Sequence, residues 1–397
     1  MALNVGIIGS GIGGLTAAIA LRRHGLSVSI FEKASTLGEV GAGITLTPNS
    51  NKVLRALDLE DEVMRWGFEP ENHVLRNWKS GRILFPAPLR DQYRSLFGAS
   101  LIQIHRPEFH RILSDQIPSD LIHLRKKCVS VRANEHGAEV GFEDGTHHAF
   151  DVLIGADGIH SVVRESMFGP DKPHFTGNIC WRGTVEARKV PDFPIMPDVT
   201  NWLGPRGHVV HYYTRAAQDL INFIAIHENE SWGAESWSEQ GDNAELVSQF
   251  GTWNPALLAL FRNAHVLFKW ALFDRDPLPE WGKGRVTLLG DAAHPMLPFL
   301  GQGAAMAIED SYALGSLLKK YEADPTRGLR KYEELRQPRT AQAQIGSRER
   351  GKKNHLHSPV ARFKRDSMYL LRRIFRAGQT PHQTEWIYGY DLPRILD

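Results

Sequence analysis

Gly9-Ser10-Gly11-Ile12-Gly13-Gly14 stands between an apolar run, Val5 to Ile8, and an amphipathic run that ends at Gly25. A second apolar run, Val28 to Phe31, closes on Glu32 and Lys33. Residue types at this spacing can hold a dinucleotide. Gly9 permits a tight turn, Gly11 lets the backbone approach a pyrophosphate, and Gly14 lets helix and strand pack closely. The helix start offers free N–H groups and the positive end of a dipole to phosphates. Glu32 ends its strand, where a carboxylate can accept hydrogen bonds from a ribose. An acid there favours an unphosphorylated ribose, hence FAD or NAD over NADP. The stretch by itself does not choose between those two.

Two later strand ends also carry acids. Phe150 to Gly155 reads as a buried strand running into Ala156-Asp157-Gly158, with Arg164 downstream. Asp157 can cap the next helix, and ligands of open α/β sheets bind at such strand ends. Val286 to Leu289 runs into Gly290-Asp291, with Pro295 beyond. Asp291 can accept from a ribose or ribitol hydroxyl. Gly301-Gln302-Gly303-Ala304 then feeds a helix through Met306, Ile308, Tyr312 and Leu314, a second anion site. The glycine-rich loop at 38–43 is expected to lie close to a ligand. Arg106, at a strand-to-helix junction, can reach a phosphate or a ring edge. Along 208–213 side chains alternate. His208, Val210 and Tyr212 share one face, and Val209, His211 and Tyr213 share the other. One face is expected to line a pocket.

The elements around these residues fall into segments. Residues 5–33 form one βαβ unit of about 30 residues, the size of a dinucleotide-binding half. Short strands are expected at 73–78, 82–85 and 101–105, and a hairpin turns at Asp144-Gly145. From 174 to 275 strands dominate, at 177–185, 199–203, 208–214, 220–226 and 266–274, with one helical insert at 243–262. Strand without alternating helix predicts an antiparallel sheet inserted in an α/β chain. Residues 325–378 read as helices rich in Lys and Arg, among them Arg336, Arg350, Lys353 and Arg372. A solvated face explains them; attraction of an anionic substrate or cofactor is the sharper alternative. The aromatic tail, 386–391, is expected to dock on the body.

A chain of 397 residues exceeds one simple core, so two domains or one elaborated domain are expected. The net charge of +2 gives no case for a nucleic-acid partner. Cys128 and Cys180 form no metal or redox motif and suit a reducing, cytoplasmic setting. No apolar run reaches the roughly 18 residues of a membrane span. The first strand begins within about five residues, which leaves no room for a signal peptide.

Together the three strand-end motifs resemble the single-component, group A FAD-dependent aromatic hydroxylases over almost the whole chain. The likeness is nearest to their salicylate hydroxylase, 3-hydroxybenzoate 6-hydroxylase and 6-hydroxynicotinate 3-monooxygenase members. It implies a Rossmann-like FAD-binding domain in three parts, 1–72, 105–173 and 276–345. It also implies substrate-domain strands at 73–104, an inserted β-sheet substrate domain at 174–275, and a C-terminal helical segment at 346–397. The overall class is α/β in the first domain and α+β as a whole.

By this resemblance Gly9, Gly11, Gly13 and Gly14 hold the FAD pyrophosphate, and Glu32 with Lys33 the adenosine ribose. Arg106 reaches the FAD, and Cys128 passes near the adenine. Asp157 serves FAD and the nicotinamide donor. Asp291 holds the ribitol, Pro295 follows it, and Gly301, Gly303 and Ala304 bring a helix start to the flavin pyrimidine edge. NADH, or NADPH, donates electrons transiently. Oxygen adds to give a flavin C4a-hydroperoxide, which a small phenolic acid attacks through ring carbon. His208 is expected to hold the phenol and Tyr212 to orient the ring, with the His211 and Tyr213 face as the alternative. Thr45 and Phe299 stand where the hydroxynicotinate enzyme has histidines, which argues for a less polar pocket. A homodimer is compatible with the resemblance. An FAD-dependent epoxidase, or a monooxygenase of a larger natural product, is the alternative on the same scaffold.

Overall fold

The computed structural model describes residues 3–38, 41–229, 239–375 and 384–396. Positions 39 and 40 of the glycine-rich loop lie outside the described residues.

One sheet has six strands, in the order Gly282–Lys283, Val286–Leu288, Val152–Gly155, Asn4–Ile8, Ser27–Phe31 and Ile122–His123. All neighbours run parallel except the first pair. Val5, Ile7 and Ile8 are buried, as are all four residues of Val152–Gly155, so these central strands are covered on both faces. Parallel pairing sets Gly9, Glu32, Asp157 and Gly290-Asp291 just beyond the same edge of the sheet. The strand Asn4–Ile8 lies between neighbours reached in opposite directions, the switch point where open α/β sheets bind ligands.

Two long helices cross this sheet in contact. Ile12–Arg23 packs on Gly303–Lys320, and Ser311 Oγ donates to the Gly13 carbonyl at 3.0 Å. A Cβ at Gly315 would stand 3.1 Å from Ala20, so a bulkier residue would force the helices apart.

The second sheet has eight strands. Its order is Glu239–Gln240, Val266–Asp274, His174–Glu186, Leu220–Glu228, Gly207–Tyr213, Val199–Gly204, Asn72–Asn77 and Ile83–Pro88. Val199–Gly204 and Asn72–Asn77 pair in parallel, and the other neighbours are antiparallel. The expected strand near 101–105, Ile102–His105, does not join it. It pairs with Gly43–Leu46 in a two-stranded ribbon. A helix, Arg90–Phe97, stands where only turns were expected, burying Tyr93 and Phe97. The expected helical insert is two helices, Asn243–Gln249 and Pro255–Arg262. Asn254 restarts the chain by capping the Ala256 N–H at 3.0 Å, with Pro255 at the first turn.

The basic C-terminal segment holds the helices Pro325–Asn354 and Pro359–Ile374. Its expected solvated face needs a correction at Arg336. Arg336 is fully buried, 2.7 Å from Glu309 and 2.8 Å from Asp310. Arg339 pairs with Glu309 at 2.7 Å. The tail docks as expected. Arg339 donates to the carbonyls of Trp386 and Ile387, and Lys52 Nζ to those of Tyr388, Gly389 and Tyr390.

Candidate active site

A cavity of about 1230 Å³ runs along the carboxyl edge of the parallel sheet and under the eight-stranded sheet. At one end the chain leaves Asn4–Ile8 through Gly9, whose φ of +103° suits glycine. The helix that follows has Gly11 at its N-cap, no side-chain cap and no acid in its first turn. Its first internal bond runs from Leu15 N to Gly11 O, at 3.0 Å. The amides of residues 12–14 are therefore left without a helical partner. Gly14 does not line the cavity. A Cβ there would meet the Gly9 carbonyl oxygen at 2.0 Å, so Gly14 is required for packing behind the turn.

Glu32 lines the cavity and ties the turn together. One carboxylate oxygen accepts from the Ser10 N–H and hydroxyl, both at 2.9 Å, and the other from the Ala34 N–H at 2.9 Å. Burial would raise its pKa, but these bonds and the Lys33 charge outweigh burial and hold it below the usual carboxylate value. Lys33 and Arg106 line the same end. Cys128 does too, and burial followed by the nearby Asp157 charge pushes its thiol up to about 12, so it is inert.

The two later strand ends are fastened to each other. Arg164 donates to the Ala292 carbonyl at 2.8 Å and to the Ile159 carbonyl at 2.7 Å. Asp157 shares the expected capping of the helix Val162–Phe168, through the Val163 N–H, but is not its N-cap residue. Ser161 is the cap, because its hydroxyl sits one residue before the first turn and accepts from Arg164 N at 2.9 Å. Asp157 holds that hydroxyl at 2.5 Å and the Val163 N–H at 3.2 Å. Burial raises the Asp157 pKa against these bonds. The Gly290 turn hangs from buried Asp310, which accepts from Gly290 N at 3.3 Å and meets His294 Nε2 at 2.5 Å.

Further along, Gly301 takes φ +63° and turns the chain into Gly303–Lys320. Gln302 is at the N-cap, but its side chain goes sideways to Thr47 and Asn49. The first turn carries no acid, and its amides are left without a helical partner. Asp291, Pro295, Gly301, Gly303 and Ala304 all line the cavity.

The far end is an aromatic chamber. Val210 and Tyr212 line it, while Val209 and Tyr213 pack into the apolar core on the other face of the sheet. His211 is fully buried on that other face, its ring 4.8 Å from Phe193. The Tyr212 hydroxyl is hydrogen-bonded to Thr45 and Arg182. Thr45 passes the chain on to Gln103 at 2.7 Å, and Arg182 donates to the Gly43 carbonyl at 2.8 Å. The expectation that His208 faces substrate fails on position. His208 does not line the cavity, because His355 and Phe299 stand against it.

Thirteen of the fourteen expected cofactor residues thus line one cavity with Tyr212; Gly14 lies behind it and His208 outside it. Of the chamber residues, His73 and Tyr93 were not singled out as a site from sequence, Arg350 was named only within the basic helical segment, and Tyr388 only within the aromatic tail. The pairing of Glu309 and Asp310 with Arg336 and Arg339 was missed as well. Its signal is two adjacent acids inside an apolar helix, answered by arginines three apart on the next.

The sequence profile described as FAD binding domain matches residues 2–249 and 268–346. The chain is 37% identical over 392 residues to a 3-amino-4-hydroxybenzoate 2-monooxygenase of Streptomyces platensis, covering 98% of this chain and 97% of the relative. It is 32% identical over 390 residues to the 6-hydroxynicotinate 3-monooxygenase of Bordetella bronchiseptica, covering 98% and 95%. Klebsiella pneumoniae HpxO, crystallised with FAD and uric acid, superposes with a TM-score of 0.87 at 25% identity, covering 98% and 97%. Among the described residues no helix is long and apolar enough to cross a membrane. The resemblance read from the motifs holds over the full length: the chain belongs to the group A FAD-dependent aromatic hydroxylases and is a flavoprotein monooxygenase with FAD as its cofactor.

Proposed function

We propose that the protein hydroxylates a small aromatic acid bearing a phenolic hydroxyl, of the hydroxybenzoate type, with NAD(P)H and O2. One observation carries this reading. A single cavity joins a dinucleotide-type glycine turn, an uncapped helix start and an aromatic chamber. Both hydroxylases named above act on ring-hydroxylated aromatic acids.

The residues present fit FAD. Gly9, Gly11 and Gly13 with the first helix start would take the pyrophosphate, while Gly14 keeps the turn closed from behind. Glu32 and Lys33 would take the adenosine ribose, with Cys128 near the adenine. Arg106 and Asp157 would flank the middle of the cofactor, and Asp291 and Pro295 its ribitol. Gly301, Gly303 and Ala304 would meet the pyrimidine edge. When bound, the flavin takes electrons from the nicotinamide and activates oxygen. The start of Gly303–Lys320 stabilises negative charge at that edge. The aromatic walls of the chamber would limit water at the reacting atoms.

Tyr212 orients the substrate ring. Its hydroxyl, held by Thr45 and Arg182, meets the substrate phenol. A phenol that yields its proton is a stronger carbon nucleophile, so an acceptor at this hydroxyl promotes hydroxylation. His73 is a poor base for that proton. Burial, then the Arg350 charge, lowers it to about 4, so it is neutral at pH 7 and serves as a hydrogen-bonding group.

In this reading segments 1–72, 105–173 and 276–345 form the FAD-binding unit. Segments 73–104 and 174–275 form the substrate unit, and 346–397 is the C-terminal helical segment and tail. The test is reductant consumption by the purified holoenzyme against phenolic acids and against terpenoid and polyketide compounds. Stimulation by a phenolic acid is expected. Stimulation by the larger compounds alone moves the assignment to the epoxidase or natural-product monooxygenase.

A further inference from the structure

The last turns of the helix Pro325–Asn354 form one wall of the aromatic chamber. Gly346, Glu349, Arg350 and Lys353 line the cavity, spaced for a single helix face. Glu349 is drawn off to Lys352 at 2.7 Å. Arg350 is half-buried and makes no hydrogen bond or ion pair with any described residue. The contrast with its own helix is sharp: Arg336 and Arg339 are each paired with buried carboxylate. The chamber's other enclosed arginine, Arg182, is taken by the Gly43 carbonyl.

A guanidinium on an enclosed wall leaves its donors unmet unless an anion or water meets them. Around Arg350 the chamber is aromatic, and its charge is felt by His73, Tyr93 and Tyr388, which share the cavity. Lys353 and Arg372 line the same region and are more exposed or half-exposed cations. Among the described residues, no acid but Glu349 lines this end.

We propose that Arg350 binds the carboxylate of the aromatic substrate, while Lys353 and Arg372 draw the anion in. This rests on the aromatic-acid reading above and deepens it. The planar guanidinium fork matches a carboxylate in two-point contact, which a lysine ammonium does not reproduce. Anchoring the acid group on this helix, with Tyr212 at the phenol, fixes the ring at two points. The pair therefore selects which ring carbon faces the activated oxygen.

The test compares wild-type holoenzyme with Arg350→Met and Arg350→Lys. The probes are the hydroxybenzoate that most stimulates the wild type and its carboxamide counterpart. Equilibrium binding is read from the change in flavin absorbance, and steady-state constants from reductant consumption. Arg350→Met is expected to weaken binding of the acid about 10- to 100-fold and to leave the amide nearly unchanged. The loss should fall on KM more than on kcat. Arg350→Lys should recover part of the affinity for the acid. An Arg350→Met protein with full FAD content that still prefers acid to amide as the wild type does would overturn the assignment. A wild type that binds no acid, or prefers the amide, overturns the substrate reading and the Arg350 role with it.

Discussion

His208 Nδ1 lies 2.8 Å from His355 Nε2, and both rings are buried. One imidazole donates and the other accepts. Burial lowers both pKa values; the His355 and Arg350 charges lower His208 as well, while Glu228 opposes burial at His355, which still falls to about 4. The bond ties the strand Gly207–Tyr213 to the residue just after the helix Pro325–Asn354. Phe299 packs on both rings, with centroids 5.7 and 5.5 Å away. A histidine on the cavity-facing strand is thereby used to hold the chamber wall.

His208→Ala and His355→Ala should each leave a buried ring nitrogen without its partner. Each is expected to cost about 1–3 kcal/mol of stability, and the double variant less than the sum. Thermal unfolding of the three variants checks this. A sharp loss of kcat in His208→Ala at unchanged stability would return His208 to the catalytic role.

Gly11→Asp should yield colourless protein. The new carboxylate would stand at the start of Ile12–Arg23, where the amides of residues 12–14 lack helical partners, and would repel a pyrophosphate. The absorbance of the purified variant reads the flavin content directly. Stoichiometric FAD in it would contradict the pyrophosphate site.

Arg336→Met should destabilise by about 3–5 kcal/mol, because Glu309 and Asp310 would stay buried with less compensation. Asp310 also holds the Gly290 turn, so flavin affinity should fall along with stability. Denaturant unfolding and FAD titration measure the two effects. An unchanged unfolding midpoint would show that the cluster relaxes around the loss.

Stability should fall as pH drops from about 6.5 towards about 4. His73 and His355 are lowered to about 4 and His211 to about 3, in each case chiefly by burial, and burial holds His208 well below its ordinary value. In that window the unfolded chain takes up protons that the folded chain refuses. Above about 6.5 these histidines are neutral in both states and add no slope. A thermal midpoint measured across the range should decline, and His211→Asn should flatten part of the decline. A midpoint that is level between pH 7 and 5 would contradict this.

The parallel sheet and the nucleotide end were legible because local signals agree there. Apolar strand, glycine turn, helix and closing acid lie within 5–33, so sequence neighbours are also neighbours in space. The chamber was only half legible. Alternation along 208–213 separated its two faces and the family resemblance chose the one with Tyr212, but neither could show that His355, from 147 positions later, would cover His208. Arg336 and Arg350 look alike in a basic helical segment. One is buried against Glu309 and Asp310 and the other opens on the cavity, a difference set by packing against Gly303–Lys320. Gly14 takes the packing role that its place in the glycine pattern indicates, and the contact with cofactor that the resemblance implied falls to Gly9, Gly11 and Gly13 on the cavity wall.

The most direct measurement supplies the holoenzyme with NAD(P)H, isotopically labelled dioxygen and a panel of hydroxybenzoates and hydroxypyridine carboxylates, and reads product mass. The expected result is reductant consumption stimulated by one acid, with a single labelled oxygen atom in its product. A yellow, reducible protein that oxidises reductant no faster with any of these acids, and labels none of them, would contradict the proposed function.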